Sequence, residues 1–273
     1  MRNRSLSKTY SAFINRLIDR DMECFTVYDA YGLLPESSKE AITMMLSEMV
    51  KKGWLLRLKQ GLYYLIPLDR DPDTFIPNWH LTASCIAQDR DYYIGYYSAL
   101  EIHSLITQPA LIERAVVAKQ MKPSILKIQG VQFQFIYHNE KHFFGYRKTK
   151  IDKYQKVYCS DLEKTIIDCL YKPEYAGGIV EVAKALYKAR GDLEYFKLLD
   201  YMRRFQNQAV IKRLGFLLEM YKIENPIVSR LFEMRSSSWT ALDPSLPKEG
   251  RTINRWRIQL NEDIETLKEA PNT

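Results

Sequence analysis

Thr26 to Leu65 reads TVYDAYGLLPESSKEAITMMLSEMVKKGWLLRLKQGLYYL, and its punctuation decides how the chain begins to fold. Thr26 with Asp29 and Ser37 with Glu40 are spaced as two capping boxes, each offering side-chain partners to the orphan amides of a helix start. Gly32-Leu33-Leu34-Pro35 leaves room only for a tight turn between the two helices. The second helix carries Ile42, Met45, Leu46, Met49 and Val50 at helical spacing, which gives it one buried face. Gly53 suits the left-handed position just past its end. Trp54 to Leu58 and Leu62 to Leu65 then flank a basic hairpin tip, Lys59-Gln60-Gly61. Three helices ending in a two-stranded ribbon predict a winged helix-turn-helix, with the second helix of the box pair in a DNA major groove and the wing on a phosphate backbone.

With the apolar residues turned inward, Ser37, Glu40, Thr43, Met44, Ser47 and Lys51 face outward or flank the core, and Lys39 sits near the amino end. Ser37, Ser38, Lys39, Thr43 and Ser47 are the expected groove-facing residues, since short hydroxyls, lysine and helix-start amides reach base edges or phosphates. Arg57 and Lys59 in the wing, and Arg2, Arg4 and Lys8 in the N-terminal arm, are the expected phosphate contacts. Glu40 is assigned to the cap rather than to cytosine. Asn, Gln and Arg are missing from this face, so direct base readout should be modest and backbone and shape contacts correspondingly large. Winged helices also dock proteins, which leaves an interaction module as a competing reading.

The chain has 273 residues, enough for one large domain or two ordinary ones. Neither a secretory leader nor an apolar run long enough to span a bilayer is evident. Cys24, Cys85, Cys159 and Cys169 lack CxxC spacing and read as reduced, buried thiols of a cytoplasmic protein. The net charge of +7 is unevenly spread. Residues 1–68 carry +3, residues 69–113 carry −5, residues 114–190 carry +8, and the remainder is nearly neutral. The largest positive excess therefore lies outside the winged helix and predicts a second polyanion-facing surface. Arg147, Lys148, Lys150, Lys153 and Lys156 are its expected members.

Pro67 to Pro77 (PLDRDPDTFIP) has three prolines and three aspartates without apolar periodicity, and reads as a hinge. The expected organisation is a winged helix at 1–68, a hinge at 69–80 and a larger α+β domain at 81–273, a mixed α/β chain overall. Helices are expected over Leu81–Gln88 and Tyr97–Ile106, and a strand over Ala115–Ala118. Ile125–Tyr137 reads as a hairpin about Gln129-Gly130, and Gly145–Ile151 with Lys156–Tyr158 as a second one about Asp152-Lys153-Tyr154. Ser160 with Glu163 forms a third capping box opening a helix over Asp161–Tyr171. Amphipathic helices follow over Ile179–Lys188, Leu193–Phe205 and Ala209–Tyr221, then strands over Trp239–Leu242 and Arg255–Leu260. The last thirteen residues are polar and expected to fray.

Motifs for catalysis are weak. Asp161 and Glu163 stand about 200° apart on a helix and do not converge on a metal. His138 and His142 are spaced i, i+4, but their neighbours read as strand and loop, which makes surface histidines the simpler reading. Lys212 and Arg213 suit either a basic surface or a solvated helix face. The chain contains no GxxxxGK[ST], GxGxxG, GxSxG or HRD sequence. No catalytic residue, cofactor or metal is expected, and no membrane partner.

Three phrases downstream of the winged helix resemble AbiEi-type antitoxins: YIGYYSAL at Tyr93–Leu100, SDLEKTIIDC at Ser160–Cys169 and IKRLGFLLE at Ile211–Glu219. The closing Leu242-Asp243-Pro244 before a Trp-containing strand is similar as well. The resemblance runs over nearly the whole chain. It implies a cytoplasmic transcriptional regulator and antitoxin of a type IV toxin–antitoxin, phage abortive-infection system. Its winged helix would repress the operon by binding inverted repeats in double-stranded promoter DNA. Its larger domain would neutralise a nucleotidyltransferase-like toxin without a stable complex, and would add a positive face to DNA. The alternative is an enzyme that modifies the toxin or processes nucleic acid, carrying the winged helix as a targeting domain.

Overall fold

Ser7, Thr26 and Ser38 start the first three helices of the chain, each accepting a hydrogen bond from a backbone amide three residues on. These are α1 (Lys8–Ile18), α2 (Val27–Leu33) and α3 (Lys39–Lys51), with β1 (Cys24–Thr26) between α1 and α2, and β2 (Leu55–Lys59) and β3 (Leu62–Leu65) after α3. The structure is a computed structural model describing residues 4–87, 90–153 and 155–272. Thr26 and Asp29 form the expected reciprocal box. The second box does not form: the Ser37 amide donates to the Leu34 carbonyl in the inter-helix turn, and Ser38 is the cap instead, accepting from the Ala41 amide, which leaves Glu40 exposed and outside the cap. Ile42, Met45, Leu46 and Met49 pack against Phe13, Leu17, Phe25 and Trp54. The three strands pair in the order β1-β3-β2, all antiparallel, and the assembly is a winged helix-turn-helix.

The chain separates into two compact units, one ending at residue 88 and the other beginning at 89. The proline-rich stretch expected as a hinge and the following helix, α4 (Trp79–Ala87), therefore group with the winged helix; Gln88 lies outside the described residues. Two contacts explain this. The Phe75 ring lies 6.0 Å from that of Tyr64, and Lys59 Nζ donates to the Ile86 carbonyl at the end of α4 over 2.9 Å. Cys24 and Cys85 are half-buried rather than buried, and a hydrogen bond from the Cys24 thiol to Cys85, together with burial, pushes that thiol up.

The second unit opens with β4 (Tyr92–Ile94), α5 (Tyr96–Ile102), β5 (Ile112–Val117), β6 (Ile125–Ile128), β7 (Val131–Tyr137), β8 (Tyr146–Lys150) and β9 (Lys156–Ser160). Its six strands lie in the order β6-β7-β5-β4-β9-β8. β5 with β7 and β4 with β9 run parallel, and the other pairs run antiparallel. Gln129 and Gly130 both have positive φ, as a two-residue hairpin turn requires. Helices α6 (Leu162–Tyr171), α7 (Ile179–Ala189), α8 (Tyr195–Phe205), α9 (Gln208–Met220) and α10 (Ile227–Met234) share one hydrophobic core. The cap of α6 is Asp161, not Ser160, whose hydroxyl instead lies 2.7 Å from Thr165 Oγ1.

β10 (Thr240–Ala241), β11 (Arg251–Ile253) and β12 (Ile258–Leu260) form a small separate sheet. The expected Arg255–Leu260 strand is shortened because Arg257 adopts φ 53° in a turn that sends Trp256 into the core. The indole lies directly over α9: a Cβ on Gly215 would sit 2.1 Å from the Trp256 ring. Most of the segment expected to fray is ordered secondary structure. It forms α11 (Ile264–Glu269), capped by Asp263 and held by fully buried Leu267.

Candidate nucleic-acid interface

Glu40, Met44, Ser47 and Lys51 form the outermost stripe of α3, opposite its buried face, and all four are exposed. Lys39 and Thr43 are exposed beside them, while Ser37 is half-buried in the preceding turn. An open groove along this face is lined by Tyr31, Lys39, Glu40, Thr43, Met44 and Ser47. The Lys39 ammonium lies 5.6 Å from the centre of the Tyr31 ring. Thr43 Oγ1 donates to the Lys39 carbonyl at 2.8 Å and lies 3.2 Å from the Tyr31 hydroxyl. Ser38 Oγ accepts from the Ala41 amide at 3.2 Å, so its oxygen is engaged in the cap. Tyr28 on α2 packs edge-on to Tyr31 and is 77% exposed. Sequence reasoning missed Tyr28; the signal available was that it falls outside the spacing of buried Ala30 and Leu33.

Of the expected phosphate contacts, Lys8 and Arg57 are exposed. Arg4 is not a free arm residue. Its Nε and Nη2 donate to the Gly53 carbonyl at 3.0 and 2.8 Å, and its guanidinium lies 5.2 Å from the centre of the Trp54 ring. The carbonyls left over at the end of α3 thus claim it. Lys59 is likewise half-buried and turned onto Ile86. Arg2 lies outside the described residues. The wing itself is short, and its tip is tied down by the Val27 amide donating to the Gly61 carbonyl at 2.9 Å.

In the second unit, Arg147, Lys148, Lys150, Lys153 and Lys156 are all exposed at the β8–β9 edge. The register divides them. Lys148 opposes Tyr158 and Lys150 opposes Lys156, which places these residues on one face together with Tyr146. Arg147 opposes buried Cys159 and belongs to the other face, so the expected surface is a lysine–tyrosine face without Arg147. Lys148 Nζ lies 5.5 Å from the Tyr158 ring centre. Tyr154, in the connecting turn, is outside the described residues.

The cations of the family-like phrases, and His138 and His142 outside them, behave differently. Lys164 and Asp168, one turn apart on α6, form a fully buried ion pair. The Tyr93 hydroxyl accepts from Lys164 Nζ at 2.9 Å and donates to Asp168 Oδ2 at 3.0 Å. His138, expected at the surface, is buried between the Tyr93 and Tyr96 hydroxyls, at 3.2 and 2.8 Å. Burial, with Lys164 nearby, pushes its pKa down to about 2. Burial pushes the Asp168 carboxyl up and the Lys164 ammonium down, and their mutual attraction opposes both shifts. His142 is half-buried and stacks on Phe205. Lys212 and Arg213, expected as surface or solvated residues, are also buried: Lys212 Nζ donates to Ser236 and Ser238, and Arg213 to the Leu170 and Ala241 carbonyls. Among the described residues no group of three His, Cys, Asp or Glu side chains is placed to hold a metal. Among the described residues no helix is long and apolar enough to cross a membrane.

The first unit is thus a winged helix with α3 exposed along one face, joined to a mixed α/β unit with a lysine-rich sheet edge. Residues 13–66 match the family described as "Transcriptional regulator, AbiEi antitoxin", which places that resemblance on the winged helix. The whole chain is similar to the crystal structure of the RV2827C protein from Mycobacterium tuberculosis, with a TM-score of 0.75. The identity there is 14%, and 100% of this chain and 97% of that one are covered, a likeness of fold. No curated protein matches the chain.

Proposed function

We propose that the protein is a cytoplasmic DNA-binding autorepressor and the antitoxin of a type IV toxin–antitoxin, phage abortive-infection system. The observation that carries this reading is an exposed, capped helix within a winged helix that matches a regulator family. Inverted repeats of promoter DNA are its target. Ser37, Ser38, Lys39, Thr43 and Ser47 face the major groove, and Lys8 and Arg57 meet phosphate. Arg4 and Lys59 drop from the contact set because their cations are spent on carbonyls. Lys148, Lys150, Lys153 and Lys156 provide a second phosphate contact from the other unit. The partner neutralised is a nucleotidyltransferase-like toxin, without a stable complex.

The test of the DNA reading is affinity for a duplex from upstream of the protein's own coding sequence, measured across a salt series. Each phosphate neutralised contributes about 0.9 to the log–log slope. Changing the four hairpin lysines to Gln should weaken binding and flatten the slope; an unchanged slope removes the hairpin from the interface. The antitoxin reading is tested by co-expression with a nucleotidyltransferase-like toxin encoded beside it. Growth arrest that the full-length chain does not relieve rejects that role.

A further inference from the structure

The outward stripe of α3 is unusual in what it offers a major groove. At its centre stands Met44, 64% exposed, with exposed Tyr28 nearby across Tyr31. Thr43 has turned its hydroxyl back onto the Lys39 carbonyl, so the group it has left to present is its methyl. Arginine, asparagine and glutamine, the bidentate readers of guanine and adenine, are absent from α3. Lys51 at the carboxyl end of the stripe and Lys39 beside its amino end, about 120° away around the helix, are exposed cations flanking Met44, suited to the phosphates on either side of a groove, with exposed Glu40 next to Lys39. A thioether and a methyl between two lysines complement one apolar feature of the major groove, the C5 methyl of thymine.

Resting on the DNA-binding reading above, we propose that Met44, with the Thr43 methyl beside it, is a specificity-determining residue that reads thymine methyl groups. The preferred half-site carries thymine beneath the middle of α3, and apolar contact rather than hydrogen bonding selects it. The apolar thioether is flexible enough to follow the methyl without a fixed donor–acceptor geometry.

The test uses the full chain and two versions of a duplex from upstream of its own coding sequence. One contains thymine, and the other deoxyuridine at every thymine position. Binding is followed by fluorescence anisotropy at one fixed salt concentration. Wild type should bind the uracil duplex about fourfold more weakly for each methyl contacted. Met44→Ala, at an exposed position where folding is not at stake, should bind the thymine duplex more weakly and lose most of the difference between the two, the remainder belonging to the Thr43 methyl. Lys51→Gln should weaken both duplexes equally. Equal wild-type binding to both duplexes, or a uracil penalty that Met44→Ala leaves intact, overturns the role of Met44 while DNA binding stands. Absence of saturable binding to the thymine duplex overturns the DNA-binding reading and this inference with it.

Discussion

The lysines of the β8–β9 hairpin and the cations of α6 and α9 are the same kinds of side chain with opposite fates. Lys148, Lys150 and Lys156 stand in solvent on one face of a sheet edge, and two of them oppose each other directly across the strands. Lys164, Lys212 and Arg213 are sealed inside, each held by named acceptors. The difference lies in whether a partner was built for the charge. An ammonium without one stays in water, where an anionic ligand can reach it. An ammonium with one becomes a strut. Counting charge along the chain does not separate the two kinds: Lys164 and Asp168 cancel inside residues 114–190, so the +8 of that segment is carried by other side chains, the hairpin lysines among them.

The contrast is broken most forcefully at Asp168. Asp168→Ala leaves the Lys164 ammonium uncompensated, about 5 Å from the centres of the Tyr93, Phe144 and Phe205 rings. A loss of about 3–5 kcal/mol in urea unfolding is expected. A loss under about 1 kcal/mol would mean that Lys164 has escaped to water, and the distinction drawn above would fail. Arg213→Met comes next, because it orphans the Leu170 and Ala241 carbonyls and should cost about 1–3 kcal/mol.

Acid sharpens the comparison further. Buried His138 resists protonation down to about pH 2, whereas the unfolded chain takes up that proton near the ordinary value of 6.5. Its contribution to stability is therefore complete above pH 6.5 and drains as pH falls toward 2, by on the order of 1 kcal/mol per pH unit at first. His138→Gln should flatten the pH dependence of the urea midpoint between pH 6.5 and 4.5. An unchanged profile would mean that the ring is already charged in the fold. The smallest effect belongs to the hairpin. Changing Lys148, Lys150 and Lys156 to Gln should alter stability by no more than about 0.5 kcal/mol per site, with a slight gain where Lys150 faces Lys156. A large loss would make those lysines struts too.

Local signals carried the winged helix and the β6–β7 hairpin well. The spacing of Ile42, Met45, Leu46 and Met49, the Thr26 box and the Gln129-Gly130 turn all act over a few residues, and the structure obeys them. Legibility failed where long-range partners decide the outcome. Arg4 looks like a basic arm until Gly53, 49 residues away, offers its carbonyl. His138 meets Tyr93, Tyr96 and Asp168 only once three separate elements are assembled. Short elements were missed for the same reason. β4 and α11 have too few residues to show a period, and burial of side chains such as Leu231 on α10 and Leu267 on α11 against the rest of the unit holds those two helices. At the interface, the outward stripe of α3 was readable, but the pairing of Tyr28 with Tyr31 required two helices to be placed side by side.

Gly215 carries one more consequence. Because the Trp256 ring fills the space where its side chain would be, the two positions are bound as lock and key across 41 residues of chain. Selection cannot move one without the other: descendants that acquire even an alanine at 215 should have surrendered the indole at 256. In a lineage whose overall identity has drifted far, that co-varying pair should outlast the surface it supports and mark true kin of this unit.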